Sequence, residues 1–330
     1  MRRTTVGAAR YLKIGIVAVV ALSLIVAGFL IMKNWEDSQG RFPEQETIPP
    51  VVEHNGVKYV LQKNVETFLV IGLDKFDGDS GEDSYNNDKV ADFLMLFVIN
   101  NETKQYSAIH INRDTIADVN ILGLAGNKVD TVKAQIALSH TYGNGRDLSC
   151  HNTADSVSSL LKGVKVNHYA SLTMDAVAVV NDMVGGVEVE VLDDFSGIDD
   201  SLIKGERVTL MGEQALTYVR ARQGLEDSSN ASRMKRQQQY VNGLYDAFMK
   251  CAEQDDEFVV EATLKLADYL VSDRSANQLQ VLNDKFIDYE FVGIEDIAGE
   301  SVVGEQFMEF YPDEDQLTEL VIKLFYTPKK

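Results

Sequence analysis

The sequence predicts an α/β fold, with a central mixed sheet flanked by helices and preceded by one N-terminal transmembrane helix. Three observations carry this prediction: an uncharged apolar stretch near the amino terminus, three apolar runs of strand length, and a later alternation of strand-like and helix-like segments. Such alternation places helices on the faces of a sheet. A composition of 45% apolar and 25% charged residues is typical of a globular protein.

The first predicted element is a membrane anchor. Residues 14–32 carry no charge and would span about 28 Å as a helix, close to the thickness of a bilayer core. The basic tail of residues 1–13 places the amino terminus in the cytoplasm, so the chain is predicted to be a single-pass protein of the cell membrane with an extracellular domain. A cleaved signal peptide is the competing interpretation, although its apolar region is usually only about 7–15 residues long.

The external part of the chain is strongly acidic. The sequence has 31 Lys/Arg and 51 Asp/Glu, a net charge of −20, and no acid precedes residue 34. We therefore expect no nucleic acid partner, because phosphate backbones bind basic surfaces. Cys150 and Cys251 lie in this external part, where they would either form a disulfide or remain separate thiols.

A stalk and a hairpin, residues 33–64, connect the anchor to the main domain, residues 65–330. The hairpin is predicted because Asn55-Gly56, a typical two-residue turn, lies between two runs of β-forming residues. Farther along the chain, hydrophobic periodicity predicts helices at 131–142, 152–161, 174–184, 261–271 and 315–324, and strands at 168–172, 187–192, 286–294 and 307–311.

The first three strands of the main domain are expected to bring polar residues together at one end of the sheet, here called the edge. They are the apolar runs 67–73, 93–99 and 105–111. If they pair in order as an antiparallel meander, the end of the first, the start of the second and the end of the third lie together. Asp74, Asp92 and Arg113 would then meet at that edge.

A basic stretch within the acidic external part is Gly212–Tyr240, which has five Lys/Arg and three acids. A first helix in it is predicted to end at residues 219–220. Arg220 and Arg222 would then lie in an extended segment, where residues two apart share a side. Arginine is well suited to bidentate contact with phosphate, so the stretch predicts an anion-binding site.

The next helix supports that prediction. Arg233 and Gln237 continue the apolar face formed by Val241, Leu244 and Phe248, at steps of three and four residues. An inward-facing guanidinium at the start of a helix, close to the unpaired backbone N–H groups, favours a bound anion. The alternative is a solvated surface with ordinary ion pairs, which is what most charged stretches are.

Asp74 and Asp92 are candidate magnesium ligands, since Mg²⁺ is commonly held by one or two carboxylates together with phosphate oxygens. A turn acid and a strand-start cap are the alternative interpretation. The sequence has no Gly-x₄-Gly-Lys phosphate loop, no Gly-x-Gly-x-x-Gly and no Gly-x-Ser-x-Gly motif. Its five histidines lack zinc-site spacing.

At these residues the chain resembles the LytR-CpsA-Psr family of Gram-positive bacteria, over about residues 65–325. The resemblance rests on Phe68–Asp74, Ala91-Asp92, Asn112–Thr115, Met183–Val189, Gly212–Arg222 and Arg233–Gln239. It implies a three-layer αβα domain that encloses a polyisoprenyl chain. It also implies a transferase of cell wall biogenesis that moves a glycopolymer phosphate from a polyisoprenyl pyrophosphate to a peptidoglycan hydroxyl.

The resemblance assigns roles to the same residues. Mg²⁺ would be bound by Asp74 and Asp92, and the reaction would depend on Asp92, Arg113, Arg220 and Arg222. The pyrophosphate would be bound by Arg113, Arg220, Arg222, Arg233 and Gln237.

Two departures from the family pattern concern this site. Gln135-Ile136-Ala137 stands where the family often has Lys-Ile-Asn, which leaves Lys133 or Arg146 as substitutes for that lysine. Asn230 replaces an aspartate that lies three residues before the first arginine of the Arg-x-x-Arg-Gln motif. The second departure leaves the general base open, with Asp92, Asp114 or Asp227 as candidates.

Two other functions are compatible with the same residues. One is a non-catalytic, membrane-anchored binder or sensor of lipid-linked cell-wall intermediates, acting as an attenuator-type regulator. The other is a polyisoprenyl pyrophosphatase, which would use water as the acceptor and which is also conceivable as a side activity of the transferase.

Overall fold

The structure is a computed structural model that describes residues 51–75, 89–255, 258–273, 289–305 and 307–329. The predicted tail, the transmembrane helix at 14–32 and most of the stalk lie outside the described residues. Among the helices within these ranges, none combines the length and the apolar character needed to cross a bilayer.

The predicted α/β class is confirmed by a sheet accompanied by helices. The strands are β1 (Val51–His54), β2 (Val57–Leu61), β3 (Val65–Lys75), β4 (Lys89–Asn100), β5 (Gln105–Ile111), β6 (Ile116–Leu122), β7 (Lys128–Gln135), β8 (His168–Thr173), β9 (Val187–Glu190), β10 (Arg207–Leu210), β11 (Leu270–Ser272), β12 (Glu290–Asp296), β13 (Gly299–Val303), β14 (Met308–Pro312) and β15 (Tyr326–Pro328). The helices are α1 (Asp147–Leu160), α2 (Ala176–Met183), α3 (Glu213–Arg220), α4 (Asn230–Gln254), α5 (Phe258–Leu266) and α6 (Glu314–Phe325), with 3₁₀ helices at Ile136–Thr141 and Ala267–Tyr269.

The described residues divide into two compact units. The first, here called the sheet unit, comprises residues 51–171, 271–273 and 292–329. The second, here called the helical unit, comprises residues 172–270 and 289–291. Both ranges are interrupted by the gaps given above.

The main sheet has the strand order β11-β8-β3-β4-β5-β12. Strands β3, β4 and β5 are antiparallel neighbours in sequence order, which confirms the predicted meander. Their apolar runs are buried because the core covers them: Leu69, Ile71, Leu94, Leu96 and Ile109 have no exposed surface. Burial of such side chains stabilises a fold by about 1.5–3 kcal/mol each.

The predicted hairpin at Asn55-Gly56 is confirmed. Strands β1 and β2 pair antiparallel around Asn55 and Gly56, both of which have positive φ angles, 52° and 75°. A turn that needs positive φ at both central residues favours this pair of residue types. Strand β15 joins the other side of β2 to complete a three-stranded sheet.

The helix predicted at 131–142 is wrong. Residues Lys128–Gln135 form strand β7, which pairs antiparallel with β6, and a short 3₁₀ helix follows. The β-branched residues Val129, Thr131 and Val132 favour the strand, and pairing with β6 supplies the hydrogen bonds. Strand β6 itself was not predicted.

The other predicted elements are present with shifted ends. Helix α1 begins at Asp147, five residues before the predicted start, and helix α5 ends at Leu266, before the predicted end at 271. The last strands and helix correspond to β12, β14 and α6. In the helical unit, the predicted helix at 174–184 is α2, and the strand at 187–192 is β9 paired with β10.

Candidate functional site

A β-bulge shapes the edge of the main sheet at which the predicted carboxylates lie. Leu73 of β3 pairs with Ala91 of β4, and Gly72 pairs with Phe93. Asp92 is therefore the extra residue of the bulge, at which the register between β3 and β4 shifts. Bulges commonly occur beside functional sites because they redirect one side chain out of the regular alternation.

Asp74 lies next to this bulge. It pairs with Val90 in the ladder, so Asp74 and Asp92 lie diagonally across adjacent strands at the same edge. The Asp74 side chain is partly buried, and Asp92 is only 7% exposed. The predicted meeting of these two positions at one edge is confirmed.

Arg113 lies in a tightly bonded turn directly after β5. Asn112 Oδ1 accepts from the backbone N–H of Asp114 at 2.9 Å, and its carbonyl accepts from the Thr115 hydroxyl at 2.6 Å. The carbonyl of Arg113 accepts from the backbone N–H of Ala137 at 3.1 Å. These bonds hold the backbone of Asn112–Thr115, so the direction of the Arg113 side chain is determined by the fold.

Arg113 pairs with two carboxylates. Its Nη1 contacts Asp92 Oδ1, and its Nε lies 3.4 Å from Asp114 Oδ1. Asp114 is buried and also accepts a hydrogen bond from Gln135 Nε2 at 3.1 Å. The meeting of Arg113 with Asp92, predicted from strand order alone, is confirmed. Gln135, at a departure from the family pattern, bonds directly to this cluster.

In the helical unit, α3 ends at Arg220, as predicted. The next residue, Ala221, is extended, with φ −55° and ψ 135°. Arg220 is exposed and Arg222 is partly buried. The two arginines therefore belong to the end of a helix and the extended segment that follows it, the arrangement that was expected to place them on one side.

Arg233 and Gln237 are buried on α4, as their position on its apolar face predicts. Arg233 is 3% exposed and donates to Asn230 Oδ1 from Nε at 3.0 Å and from Nη2 at 2.6 Å. Gln237 is 4% exposed, and its Nε2 donates to the carbonyl of Val219 at 3.2 Å. Helix α4 itself begins with Ser229, whose side chain accepts from Ser232 N at 3.1 Å.

Sequence reasoning assigned no role to Arg236, which has no exposed surface. Its Nε lies 2.8 Å from Asp193 Oδ2, and its guanidinium carbon lies 5.4 Å from the ring centre of Phe195 and 5.9 Å from that of Tyr218. Burial lowers the pKa of Arg236, and the nearby Asp193 carboxylate opposes that change. Helical spacing could have indicated its burial, because Arg236 and the buried Tyr240 are four residues apart.

A buried thiol and imidazole lie elsewhere in the sheet unit, within helix α1 and the 3₁₀ helix before it. Cys150 Sγ lies 3.3 Å from Ser171 Oγ and 3.9 Å from His140 Nε2. Burial raises the pKa of the Cys150 thiol to about 12 and lowers the pKa of His140 to about 4. Both groups are neutral at pH 7, so this pair is not an activated nucleophile. Cys150 and Cys251 are both free thiols, which answers the question left open by the sequence.

Among the described residues, no three His, Cys, Asp or Glu side chains cluster closely enough to bind a metal ion by themselves. Asp74 and Asp92 offer two carboxylates at one sheet edge. Two carboxylates fit Mg²⁺, which usually completes its coordination with water and with phosphate oxygens of a substrate.

Comparison with known proteins gives a family match over most of the chain. The model of the LytR_cpsA_psr family matches residues 33–319. An Enterococcus faecalis protein named polyisoprenyl-teichoic acid–peptidoglycan teichoic acid transferase TagU is 29% identical over 231 residues, covering 68% of this chain and 67% of that protein. The cell wall biosynthesis protein LcpA of Corynebacterium glutamicum is 29% identical over 181 residues, covering 50% of this chain and only 33% of that protein. A TagU of Halalkalibacterium halodurans is 29% identical over 167 residues, covering 50% of this chain and 49% of that protein.

Solved structures support the fold. The crystal structure of Bacillus subtilis TagV has a TM-score of 0.58 and 22% identity, covering 80% of this chain and 97% of that chain. A structure of TagT bound to LIIa-WTA has a TM-score of 0.58 and 20% identity, covering 79% of this chain and 90% of that chain. A Streptococcus agalactiae protein has a TM-score of 0.61 and 16% identity, covering 79% of this chain and 87% of that chain. At these identities the likeness concerns the fold alone.

Proposed function

This chain belongs to the LytR-CpsA-Psr family, and we propose that it is a membrane-anchored phosphotransferase that attaches a glycopolymer to peptidoglycan. The donor is a polyisoprenyl pyrophosphate that carries the glycopolymer. The relatives named as teichoic acid transferases support the class of substrate, a phosphate-containing wall polymer.

The observation that carries the proposal is the contact between Arg113 and Asp92 at the bulge. A guanidinium and carboxylates at a sheet edge provide both a ligand for phosphate oxygens and ligands for a divalent cation. Asp92 and Arg113 are mostly buried, with 7% and 16% of their side chains exposed, so their charges act in a region of reduced solvent screening.

Magnesium is the proposed cofactor, bound by Asp74 and Asp92. When bound, Mg²⁺ would neutralise charge on the pyrophosphate oxygens. The two carboxylates on adjacent strands fit this ion, which usually completes its coordination with water and substrate phosphate oxygens.

The proposed reaction is the displacement of lipid phosphate by a sugar hydroxyl. The acceptor oxygen forms a bond to the phosphorus that carries the glycopolymer, and the P–O bond of the pyrophosphate breaks. Its electron pair leaves with polyisoprenyl phosphate. The hydroxyl proton passes to a carboxylate oxygen of Asp92 or Asp114, both of which contact Arg113.

The chain contributes electrostatic stabilisation through its arginines. Arg113 of the sheet unit binds phosphate oxygens as charge grows on them. In the helical unit, phosphate binding is assigned to Arg220, Arg222, Arg233 and Gln237. Preorganised cations of this kind supply most of the rate enhancement in phosphoryl transfer, because little covalent chemistry is left to the protein.

We also propose that residues 14–32 anchor the chain in the cell membrane, with the catalytic domain outside. A membrane anchor would keep the enzyme beside its lipid-linked donor. Protease added to intact cells should remove the domain and leave the amino-terminal tail protected. A protected domain would contradict this orientation.

The transferase proposal is tested with the full chain in detergent micelles, a lipid-linked glycopolymer pyrophosphate, Mg²⁺ and peptidoglycan. We expect the glycopolymer to become attached to peptidoglycan, and we expect Arg113→Ala to lower the rate by about 100-fold or more. Lys58→Ala is the matched control, since Lys58 is an exposed cation of the sheet unit and pairs only loosely with the exposed Glu53, at 4.0 Å. It should leave the rate unchanged.

The same assay separates the three functions. Release of lipid phosphate without attachment to peptidoglycan would identify a pyrophosphatase. Donor binding without any product would identify a binder or sensor. Either outcome would overturn the proposed transfer reaction, as would an Arg113→Ala variant with unchanged turnover.

A further inference from the structure

Arg236 is held in place from several sides inside the helical unit. Its guanidinium lies beside the rings of Phe195 and Tyr218 and pairs with Asp193 at 2.8 Å. Asp193 is itself held by the Ser232 hydroxyl, which donates to Oδ2 at 2.7 Å. Nε, Nη1 and Nη2 of Arg236 all contact oxygen atoms of the protein, so this guanidinium is poorly placed to bind a substrate directly.

The N–H groups of Arg236 instead point at the end of α3. Nη1 donates to the carbonyl of Tyr218, and Nη2 donates to the carbonyl of Ala221. The last carbonyls of a helix have no partner within the helix, and a cation near them is also favoured by the helix dipole. Arg236 thus serves as the C-terminal cap of α3, together with Gln237, which donates to Val219 O at 3.2 Å.

This cap replaces the glycine that ends many helices. Residue 221 is an alanine in extended conformation, whereas a glycine cap would be in the left-handed region. The fork of a guanidinium can bond two carbonyls at once, which a lysine ammonium on a flexible chain does not do with the same geometry. The break in the helix after Arg220 is therefore held by a side chain from α4.

The position of the break decides where Arg220 and Arg222 point. If the helix continued through residue 222, each step would rotate the side chain by about 100°, and the two arginines would point about 200° apart. Because Ala221 is extended, this helical rotation does not apply between residues 220 and 222, and an extended segment is the arrangement expected to place them on one side. A shift of the break by one residue would change the direction of one arginine side chain relative to the other.

We propose that Arg236, anchored by Asp193, is a positioning residue that holds Arg220 and Arg222 in the geometry for phosphate binding. This inference rests on the proposed function, in which those two arginines bind the pyrophosphate. The two arginines of the Arg-x-x-Arg-Gln motif then have different roles. Arg233 is assigned to the ligand, and Arg236 holds the backbone that presents the other arginines.

The test is a set of kinetic measurements on the full chain with the lipid-linked glycopolymer donor. Arg236→Lys keeps the charge beside Asp193 and removes the fork. We expect kcat to fall by about 100-fold, as for a small misplacement of catalytic groups, with a much smaller change in KM. We also expect the effects of Arg236→Lys and Arg220→Ala to be non-additive, so that the double variant loses less than the product of the two single losses.

Controls separate positioning from stability. Arg207→Lys is the matched control, because Arg207 is an exposed arginine of the same unit that lies 3.8 Å from the exposed Glu188. It should leave kcat unchanged. The folded fraction of each variant at the assay temperature is measured by circular dichroism, and rates are expressed per folded molecule. A purely structural role would give the same loss in the Arg220→Ala background as in the wild type, which would overturn the proposal.

Asp193→Asn is a second variant in case Arg236→Lys does not fold. It keeps the guanidinium and removes its counter-ion, and we expect a smaller loss of kcat that is again non-additive with Arg220→Ala. Failure of both variants to fold would also contradict the proposal, since it would assign the pair to stability. If the wild-type chain lacks transfer activity or Arg220→Ala is fully active, the proposed function fails. If both behave as expected but Arg236→Lys keeps its kcat, only the positioning role fails.

Discussion

Asn230 Oδ1 accepts two hydrogen bonds from Arg233, at 3.0 Å from Nε and 2.6 Å from Nη2. Both side chains are buried, with 8% and 3% of their surface exposed. A neutral amide oxygen thus orients the guanidinium where a carboxylate would form an ion pair with it. The departure from the family pattern at residue 230 therefore leaves the positive charge of Arg233 more effective toward an anionic ligand.

Asn230→Asp should weaken anion binding. The new carboxylate would pair with Arg233 and offset its attraction for phosphate, which we expect to lower the affinity for inorganic pyrophosphate by about fivefold to tenfold, roughly 1 kcal/mol of Coulomb energy. Isothermal titration calorimetry measures the change. Ser228→Asp is the control, since it adds the same charge to the exposed loop before α4. An equal loss in both variants would show that general repulsion, not the contact with Arg233, is the cause.

Asp92→Asn should impair both activity and stability. Removing the charge leaves Arg113 with Asp114 at 3.4 Å as its carboxylate partner, and the loss of a charged hydrogen bond costs about 1.5–3 kcal/mol of unfolding free energy. Turnover should fall by about 100-fold or more, because a proposed metal ligand is lost. Urea denaturation and the transfer assay measure the two effects.

Asp118→Asn is the comparison for the stability effect. Asp118 pairs with Lys133 at 3.0 Å, but 42% and 67% of the two side chains are exposed. An exposed ion pair contributes at most about 1 kcal/mol, so this variant should be nearly as stable as the wild type and fully active. Equal destabilisation by both substitutions would contradict the importance given to the buried pair.

The contact of Asp92 with Arg113 could be predicted from sequence because it depends on strand order alone. Three apolar runs of strand length that follow one another along the chain make a meander the simplest pairing, and the meeting of the strand ends follows from it. The β6–β7 hairpin was missed because Val129, Val132 and Ala134 are compatible with helical as well as strand spacing. Only the pairing with β6, which brings Val119 opposite Val132, decides between the two.

The role of Arg236 was beyond prediction for a different reason. Its burial follows a helical stripe, but its counter-ion Asp193 lies 43 residues earlier in a loop that has no periodic pattern. Many acids in this chain would have been equally good candidates. Long-range pairing of charges depends on how loops fold back, which local propensity does not determine.

Gly186→Ala should destabilise the protein more than Gly185→Ala. Both glycines follow α2 with positive φ, 98° and 78°, so an alanine at either position lowers the free energy of unfolding by about 1–2 kcal/mol, because it must adopt the left-handed conformation. A Cβ at Gly186 would also lie 2.6 Å from Thr209 Cγ2 and 2.9 Å from the Leu210 carbonyl, whereas a Cβ at Gly185 meets no atom within 4 Å. We expect a total of about 3 kcal/mol or more for Gly186→Ala. Urea midpoints of the two variants give the comparison, and equal midpoints would contradict the steric argument.

Cys251 should be the thiol that reacts in the folded protein. Cys150 is fully buried with its pKa raised to about 12, whereas Cys251 is partly exposed. Iodoacetamide should therefore add one label to the native chain and two after denaturation without reductant. Mass spectrometry counts the labels, and Cys251→Ser should remove the native one. No labelling after denaturation would reveal a disulfide and contradict the free thiols of the structure.

His140 should make the protein less stable in mild acid. Its pKa in the folded protein is about 4, below its ordinary value of 6.5, because burial disfavours the charged ring. Between these two values the unfolded chain binds a proton that the folded chain does not, so stability is lost as the pH falls through this window. At pH 5 the loss amounts to about 2 kcal/mol relative to pH 7.5.

His140→Gln can still donate to the carbonyl of Lys89, which now accepts from Nδ1 at 3.1 Å, but it does not titrate. We expect a lower stability at pH 7.5 and a smaller decrease between pH 7.5 and pH 5 than in the wild type, measured as unfolding free energies in urea. Because His151 also has a lowered pKa from burial, part of the decrease should remain. An unchanged decrease in His140→Gln would show that His140 is not a source of the acid sensitivity.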